Sequence, residues 1–234
     1  MGGTPFDLTH KALRVNAVLT AHYGEPKLKK KRPPLDELVM TILSQNTNDT
    51  NSGRAFASLQ QRFPTWQAVL DAPSYQVAEA IRVGGLANIK APRIQTILRK
   101  LQDERGELSL QFLDDLPLEE SRAYLNALPG VGPKTTACVL LFALHKPVMP
   151  VDTHVHRIAL KLGLIPAKTS AEKAHVLLET LLPPALYYPF HLNLIHHGRT
   201  LCGKARPQCE ACPLQEECVW LRENARAMGT QETQ

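Results

Sequence analysis

Apolar residues recur every three or four positions along most of this chain. After the Pro33–Pro34 break, Leu38, Val39, Ile42 and Leu43 fall on one helical face, and Asp36 is an acid suited to a first turn. The same period predicts helices over 52–62, 74–83, 91–105, 118–128, 134–144, 152–162 and 171–182, each punctuated by Pro, Gly or an Asx/Ser cap. Runs of alternating apolar and polar residues are absent, and no hairpin dipeptide joins β-branched stretches. The pattern predicts an all-α protein. It holds no internal repeat or low-complexity segment, and the tail from about Ala227 onward is expected to be disordered.

One break in the pattern carries chemistry. In Leu128-Pro-Gly-Val-Gly-Pro-Lys-Thr-Thr-Ala137, one helix is expected to end at Leu128, Gly130 and Gly132 to form a tight turn, and Pro133 to open the next helix. Two glycines two apart let backbone N–H groups converge beside a helix N-terminus, which suits a phosphate-sized anion. An ordinary connection between antiparallel helices would show the same residues.

Composition adds a partner class. The 234 residues allow one large domain or two modest ones, and the longest apolar stretch, 137–144, is far too short to span a bilayer. Met1-Gly-Gly-Thr-Pro-Phe6 lacks a charged-then-apolar leader and a myristoylation signal, so an intracellular, cytoplasmic protein is expected. A net charge of +5 and a pI near 9.0 point to a polyanionic partner. The positive charge concentrates in Lys27-Leu28-Lys29-Lys30-Lys31-Arg32 and around Cys202, where Arg199, Lys204 and Arg206 occur with no acid between them.

Four of the five cysteines crowd the C-terminal region as Cys202-x6-Cys209-x2-Cys212-x5-Cys218. Four soft thiolates so close together suit zinc or an iron–sulfur cluster. Disulfides fit small secreted scaffolds better than this chain. Only Cys209 and Cys212 form a short knuckle of the kind structural zinc sites pair, so the uneven arms favour the larger iron–sulfur object. Such a cluster with its thiolates is anionic and would repel DNA, and Lys204 and Arg206 would reverse that sign locally. Cys138 stands apart in an apolar helix face, where packing explains it.

The hairpin, then Val151-Asp152-Thr153-His154-Val155-x-Arg157, then the cysteine pattern, resembles the endonuclease III family of DNA base-excision glycosylases from about Leu35 to Trp220. The resemblance implies two helical domains: a six-helix barrel domain over 26–146, including a helix-hairpin-helix at about 121–145 by the cleft, and an iron–sulfur domain from 1–25 plus 147–234. It implies a [4Fe-4S] cluster on Cys202, Cys209, Cys212 and Cys218, and it implies Lys134 as Schiff-base amine and Asp152 as catalytic carboxylate. For Asp152 an N-cap role is the simpler reading, and both can hold together. Gly130 and Gly132 would grip a DNA phosphate, with Lys204 and Arg206 as further phosphate contacts. Leu86 in Gly85-Leu86-Ala87-Asn88 matches the family's wedging leucine, against an even chance of a buried loop leucine. Gln45 and Asn46 share the place of the family's gap-probing glutamine; either could instead cap a helix. His154 and His156 are expected on the helix surface, near DNA but outside catalysis.

The expected partner is double-stranded DNA carrying damaged bases or abasic sites, bound by a monomer. The implied activity is that of a bifunctional glycosylase and AP lyase acting on oxidised pyrimidines such as thymine glycol. Adenine-mismatch, thymine-mismatch or photodimer glycosylases share the scaffold, and a non-catalytic iron–sulfur DNA binder is the reading of a different class.

Overall fold

The computed structural model of the chain describes residues 5–27 and 32–229. The first four residues and most of the lysine run (28–31) lie outside the described residues. The described residues form twelve α-helices and short 3-10 or π turns, with no strand among them. None of the described helices is long and apolar enough to cross a membrane.

The chain divides into two compact units, residues 30–146 and residues 1–29 with 147–234. The central unit holds α2 (Pro34–Leu43), α3 (Asp49–Arg62), α4 (Trp66–Asp71), α5 (Ser74–Ala80), α6 (Ala87–Arg105), α7 (Leu118–Asn126) and α8 (Pro133–Cys138). Helix α2 is its spine. Leu35, Leu38, Val39, Ile42 and Leu43 are all buried, and α2 packs on α3, α6 and α8. Removing such a stripe from water is the main source of helix stability in a bundle. Asn48 caps α3 by accepting from the Asn51 N–H at 2.8 Å, and Thr65 caps α4 by accepting from the Ala68 N–H at 3.1 Å.

The second unit joins α1 (Pro5–Tyr23) to α9 (Thr153–Leu162), α10 (Ala171–Leu181), α11 (Tyr187–Thr200) and α12 (Val219–Gly229). Its core includes Ala12, Val15, Leu19, Val155, Ile158, Leu178, Phe190 and Leu194, with Cys202, Cys212 and Cys218 packed against the edge. α1 therefore fills a core built otherwise from the far end of the sequence.

Several boundaries differ from those that periodicity predicts. Helix α3 begins at Asp49, because Asn48 is the cap. Helix α6 begins at Ala87, a turn before the expected start, and carries Pro92 inside it. Pro92 sits in the second turn of α6, where its missing N–H costs an intrahelical bond that the first turn would not have needed. The expected helix over 74–83 breaks into α5 and a 3-10 turn at Arg82–Gly84. The expected helix over 134–144 continues past α8 as a π turn at Val139–Ala143. The described residues end with α12 at Gly229, so most of the tail expected to be disordered, residues 230–234, lies outside the described residues.

Candidate functional site

The hairpin turn in the central unit forms where α7 stops at Asn126 and α8 starts at Pro133. Leu128 and Val131 are buried and anchor it, and the Val131 N–H donates to the Leu128 carbonyl at 3.1 Å. The Thr136 hydroxyl lies 2.6 Å from Asn126 Oδ1 and clamps the two helices together. Gly130 has φ +71°, a backbone conformation that favours glycine; a Cβ there would sit 2.2 Å from Arg93 Nε, the end of a flexible side chain that can shift. Gly132 is different: its φ is −103°, and it serves as the N-cap of α8. Neither glycine's N–H is taken up by another backbone carbonyl among the described residues. Both face solvent, which leaves them available to an anion.

Lys134 follows in the first turn of α8, half-exposed, and its amine forms no ion pair among the described residues. Gln45 lies beside the same turn. Its Oε1 accepts from Arg93 at 3.1 Å and its Nε2 donates to Thr135 Oγ1 at 3.4 Å. Asn46, by contrast, is exposed with φ +54°, a left-handed conformation that asparagine tolerates better than most residues. Neither residue caps α3; Asn48 does. Gln45 is held from both ends, and Asn46 is the amide left facing outward.

Leu86 also has positive φ, +52°, and is 48% exposed, which discards the buried-leucine reading. It shares an open depression of about 640 Å³ with Tyr75, Arg82, Asn88 and Ile89. Behind it lies a residue that periodicity overlooked. Lys90 is 1% exposed, and its ammonium donates to the Leu43 carbonyl at 2.7 Å and the Gly84 carbonyl at 2.8 Å. Burial, reinforced by nearby Arg93, pulls its pKa below the ordinary lysine value. It thus pins the segments that lead into Asn46 and Leu86.

In the other unit, Asp152 is the N-cap of α9. Its Oδ1 accepts from the His154 N–H at 2.9 Å and the Val155 N–H at 2.8 Å, which leaves Oδ2 outside the cap. His154 is not a free surface side chain: its ring packs so tightly on Gly198 that a Cβ there would lie 2.7 Å from Nδ1. Arg157, one turn further on, donates through one terminal nitrogen to the Gly198 carbonyl at 3.1 Å and to the Cys202 carbonyl at 2.8 Å, and the same nitrogen lies 3.2 Å from His154 Nδ1. His156 is turned to the Thr169 carbonyl, 2.7 Å from its Nε2.

Cys202, Cys209, Cys212 and Cys218 are thiols, not disulfides, and together line one pocket with Leu201, Pro207, Trp220 and Leu221. Lys161 lies at its rim with its ammonium 4.0 Å from the Trp220 ring centroid. No group of His, Cys, Asp or Glu side chains among the described residues is placed to hold a single metal ion. What the four cysteines share is the lining of that one pocket, and soft thiolates are the donor type an iron–sulfur cluster takes. Burial holds the Cys202 and Cys212 thiols above their ordinary pKa, so a cationic group among them is what would draw out the ligating thiolates. Leu221 N–H points at Cys218 Sγ from 3.4 Å, and His197 Nε2 lies 3.6 Å from Cys212 Sγ. Burial, with His22 and His196 adding to it, pushes the His197 imidazole down to about 4, so it is neutral at pH 7. Lys204 and Arg206 are exposed on the loop between the first two cysteines.

The HhH-GPD superfamily base excision DNA repair protein profile matches residues 39–184, well over half of the chain. The chain belongs to this superfamily. Among HhH-GPD proteins it is 33% identical over 201 residues to Endonuclease III of Thermotoga maritima, covering 86% of this chain and 90% of that one. It is 45% identical over 189 residues to the Arabidopsis thaliana protein At3g47830, whose name offers it as a candidate DNA glycosylase; 77% of this chain is covered and 64% of the plant protein. A further Arabidopsis relative, DNA glycosylase/AP lyase ROS1, is 34% identical over 170 residues, which span 65% of this chain but 12% of ROS1. The chain therefore spans less than two thirds of these plant relatives. Among solved structures, a non-covalent Endonuclease III–DNA complex superposes with a TM-score of 0.80 at 26% identity, covering 93% of this chain and 98% of the other. Membership in the endonuclease III-like branch of helix-hairpin-helix DNA glycosylases and the all-α fold follow from these matches together.

Proposed function

We propose that this chain is a bifunctional DNA glycosylase and AP lyase that removes oxidised pyrimidines such as thymine glycol. One observation carries the reading: a half-exposed Lys134, without an ion pair among the described residues, one residue after the proline that follows a turn whose Gly130 and Gly132 face solvent. The turn would seat a backbone phosphate on its free N–H groups, and the amine would stand at a fixed offset from that phosphate.

The damaged nucleotide leaves the stack, at a cost of roughly a few kcal/mol that is least for a poorly stacked base. The Lys134 amine, in its neutral form, bonds to C1′ while the N-glycosidic bond breaks and the base departs with a proton. Loss of the amine proton and opening of the sugar give an imine. The imine acidifies the C2′ proton, whose removal expels the 3′ phosphate by β-elimination. For Asp152 we propose the carboxylate role: its Oδ1 held by the helix cap, its Oδ2 left to accept a proton or to stabilise the cationic sugar. Leu86 would occupy the vacated stack, and exposed Asn46 suits the gap-probing role better than Gln45, which Arg93 and Thr135 hold. A relative named as a glycosylase/AP lyase supports the lyase half.

Cys202, Cys209, Cys212 and Cys218 would hold a [4Fe-4S] cluster, which when bound would brace the loop carrying Lys204 and Arg206. None of the chemical steps above uses an electron from it. The substrate reading is tested with duplexes that each carry one defined lesion, assayed separately for base release and strand nicking. Thymine glycol is expected to give both products in step. Release confined to mismatched adenine or thymine, or release without nicking, would overturn it.

A further inference from the structure

His197 touches two of the four cysteines. It lies in the last turn of α11, 1% exposed, and its carbonyl accepts from the Cys202 N–H at 2.8 Å while its Nε2 lies 3.6 Å from Cys212 Sγ. On the other side of the ring, Tyr23 Oη, from the end of α1, is 2.9 Å from Nδ1. Three separate stretches of chain thus meet in one line: phenol, imidazole, sulfur.

The proton positions follow from the neighbours. Tyr23 has one proton to give. Thr200 Oγ1, 3.4 Å from that phenol, donates its own proton to the His196 carbonyl at 2.9 Å. With Tyr23 donating to Nδ1, the ring carries its proton on Nε2 and directs it at Cys212. The opposite tautomer would aim a nitrogen lone pair at the sulfur, and a metal-bound sulfur has no proton of its own to offer. Only the first arrangement is bonded throughout.

We propose that His197 is a positioning residue that donates a hydrogen bond to the Cys212 sulfur, fixed in that tautomer by Tyr23, and so raises the reduction potential of the bound cluster. This rests on the [4Fe-4S] reading of the four cysteines. A donor aimed at a ligating sulfur stabilises the more negative, reduced state, and hydrogen bonds to sulfur are among the factors that set cluster potentials. The pairing is local to one unit and independent of which lesion the protein excises.

The test uses the full chain purified anaerobically. Iron and sulfide content with the visible absorption spectrum are read first. A wild-type protein that binds no iron would sink the ligand reading, and this proposal with it. Midpoint potentials are then measured by film voltammetry on wild type, His197→Leu, His197→Gln and Tyr23→Phe. We expect His197→Leu to keep its cluster and shift to a more negative potential, on the order of a tenfold change in the one-electron equilibrium, about 59 mV. His197→Gln, which retains an N–H donor, should recover part of the shift, and Tyr23→Phe should move the same way by less. An intact cluster at an unmoved potential in His197→Leu overturns the proposal while leaving the ligand assignment standing. Should His197→Leu fail to load, Tyr23→Phe decides the matter, and an unmoved potential there is equally fatal.

Discussion

Replacing Lys90 by methionine removes a buried cation of the central unit whose partners are both backbone carbonyls. The side chain is 1% exposed and gives hydrogen bonds of 2.7 and 2.8 Å to Leu43 and Gly84, whose carbonyls receive no backbone N–H outside the regular helices. Methionine keeps most of the volume and removes both donors. Each buried carbonyl left unpaired costs about 1–3 kcal/mol, and relief from burying an ammonium offsets part of that sum. The expected net loss is about 2–4 kcal/mol, or about 4–16 °C in melting temperature at the roughly 2–4 °C per kcal/mol usual for a protein of this size. Urea denaturation of wild type and Lys90→Met, read by circular dichroism, measures it. Burial depresses the Lys90 pKa, so the folded state holds this proton less tightly than the unfolded chain does. Wild type should therefore gain on the variant as pH rises toward 10.5, the ordinary lysine value. A variant within about 0.5 kcal/mol of wild type, well below the usual cost of unpaired buried groups, would show that the two carbonyls do not depend on Lys90. It would also remove the argument that this residue stiffens the segments leading to Asn46 and Leu86.

Other substitutions separate structure from chemistry. Asp152→Asn should keep the cap and the melting temperature yet lose base release, whereas Asp152→Ala should lose both, the stability part by about 0.5–2 kcal/mol; full activity in Asp152→Asn would dismiss the carboxylate. Lys204→Ala with Arg206→Ala should weaken binding to every duplex and flatten the salt dependence by about 0.9 per lost phosphate contact, and an unaltered slope would show that neither side chain meets a phosphate. The hydrogen bond and charge of Arg14, 2.7 Å away, hold the Glu217 carboxyl below its ordinary value of 4.5. That stabilisation is present above pH 4.5 and fades as pH falls through the lowered pKa, so the margin of wild type over Glu217→Gln in urea should shrink on acidification. A margin that is constant with pH would mean that the pair adds nothing.

Helical class, the hairpin and the four-cysteine spacing were legible because each is a local pattern. The hidden polar anchors were not, although a trace of them exists. Lys90 shares an apolar stripe with buried Ile94, Ile97 and Leu101, and His197 shares one with buried Phe190 and Leu194. A polar residue in such a stripe must find a partner on folding. The sequence shows that a partner is needed, but not that Lys90 finds carbonyls 47 and 6 residues away or that His197 meets Tyr23 174 residues away. Boundaries failed for a related reason. Pro92 reads as a helix start because its missing N–H is harmless there, and only packing shows that α6 extends a turn further back. Nor does the sequence show that Gln45 is held by Arg93 and Thr135 while Asn46 faces outward.

Borohydride trapping on abasic duplex DNA, followed by peptide mapping of the adduct, tests the central claim most directly. The account predicts a covalent protein–DNA species attached at Lys134, absent in Lys134→Ala while that variant still binds the duplex. Trapping that persists in Lys134→Ala, or a wild type that releases bases yet never becomes attached, would contradict it.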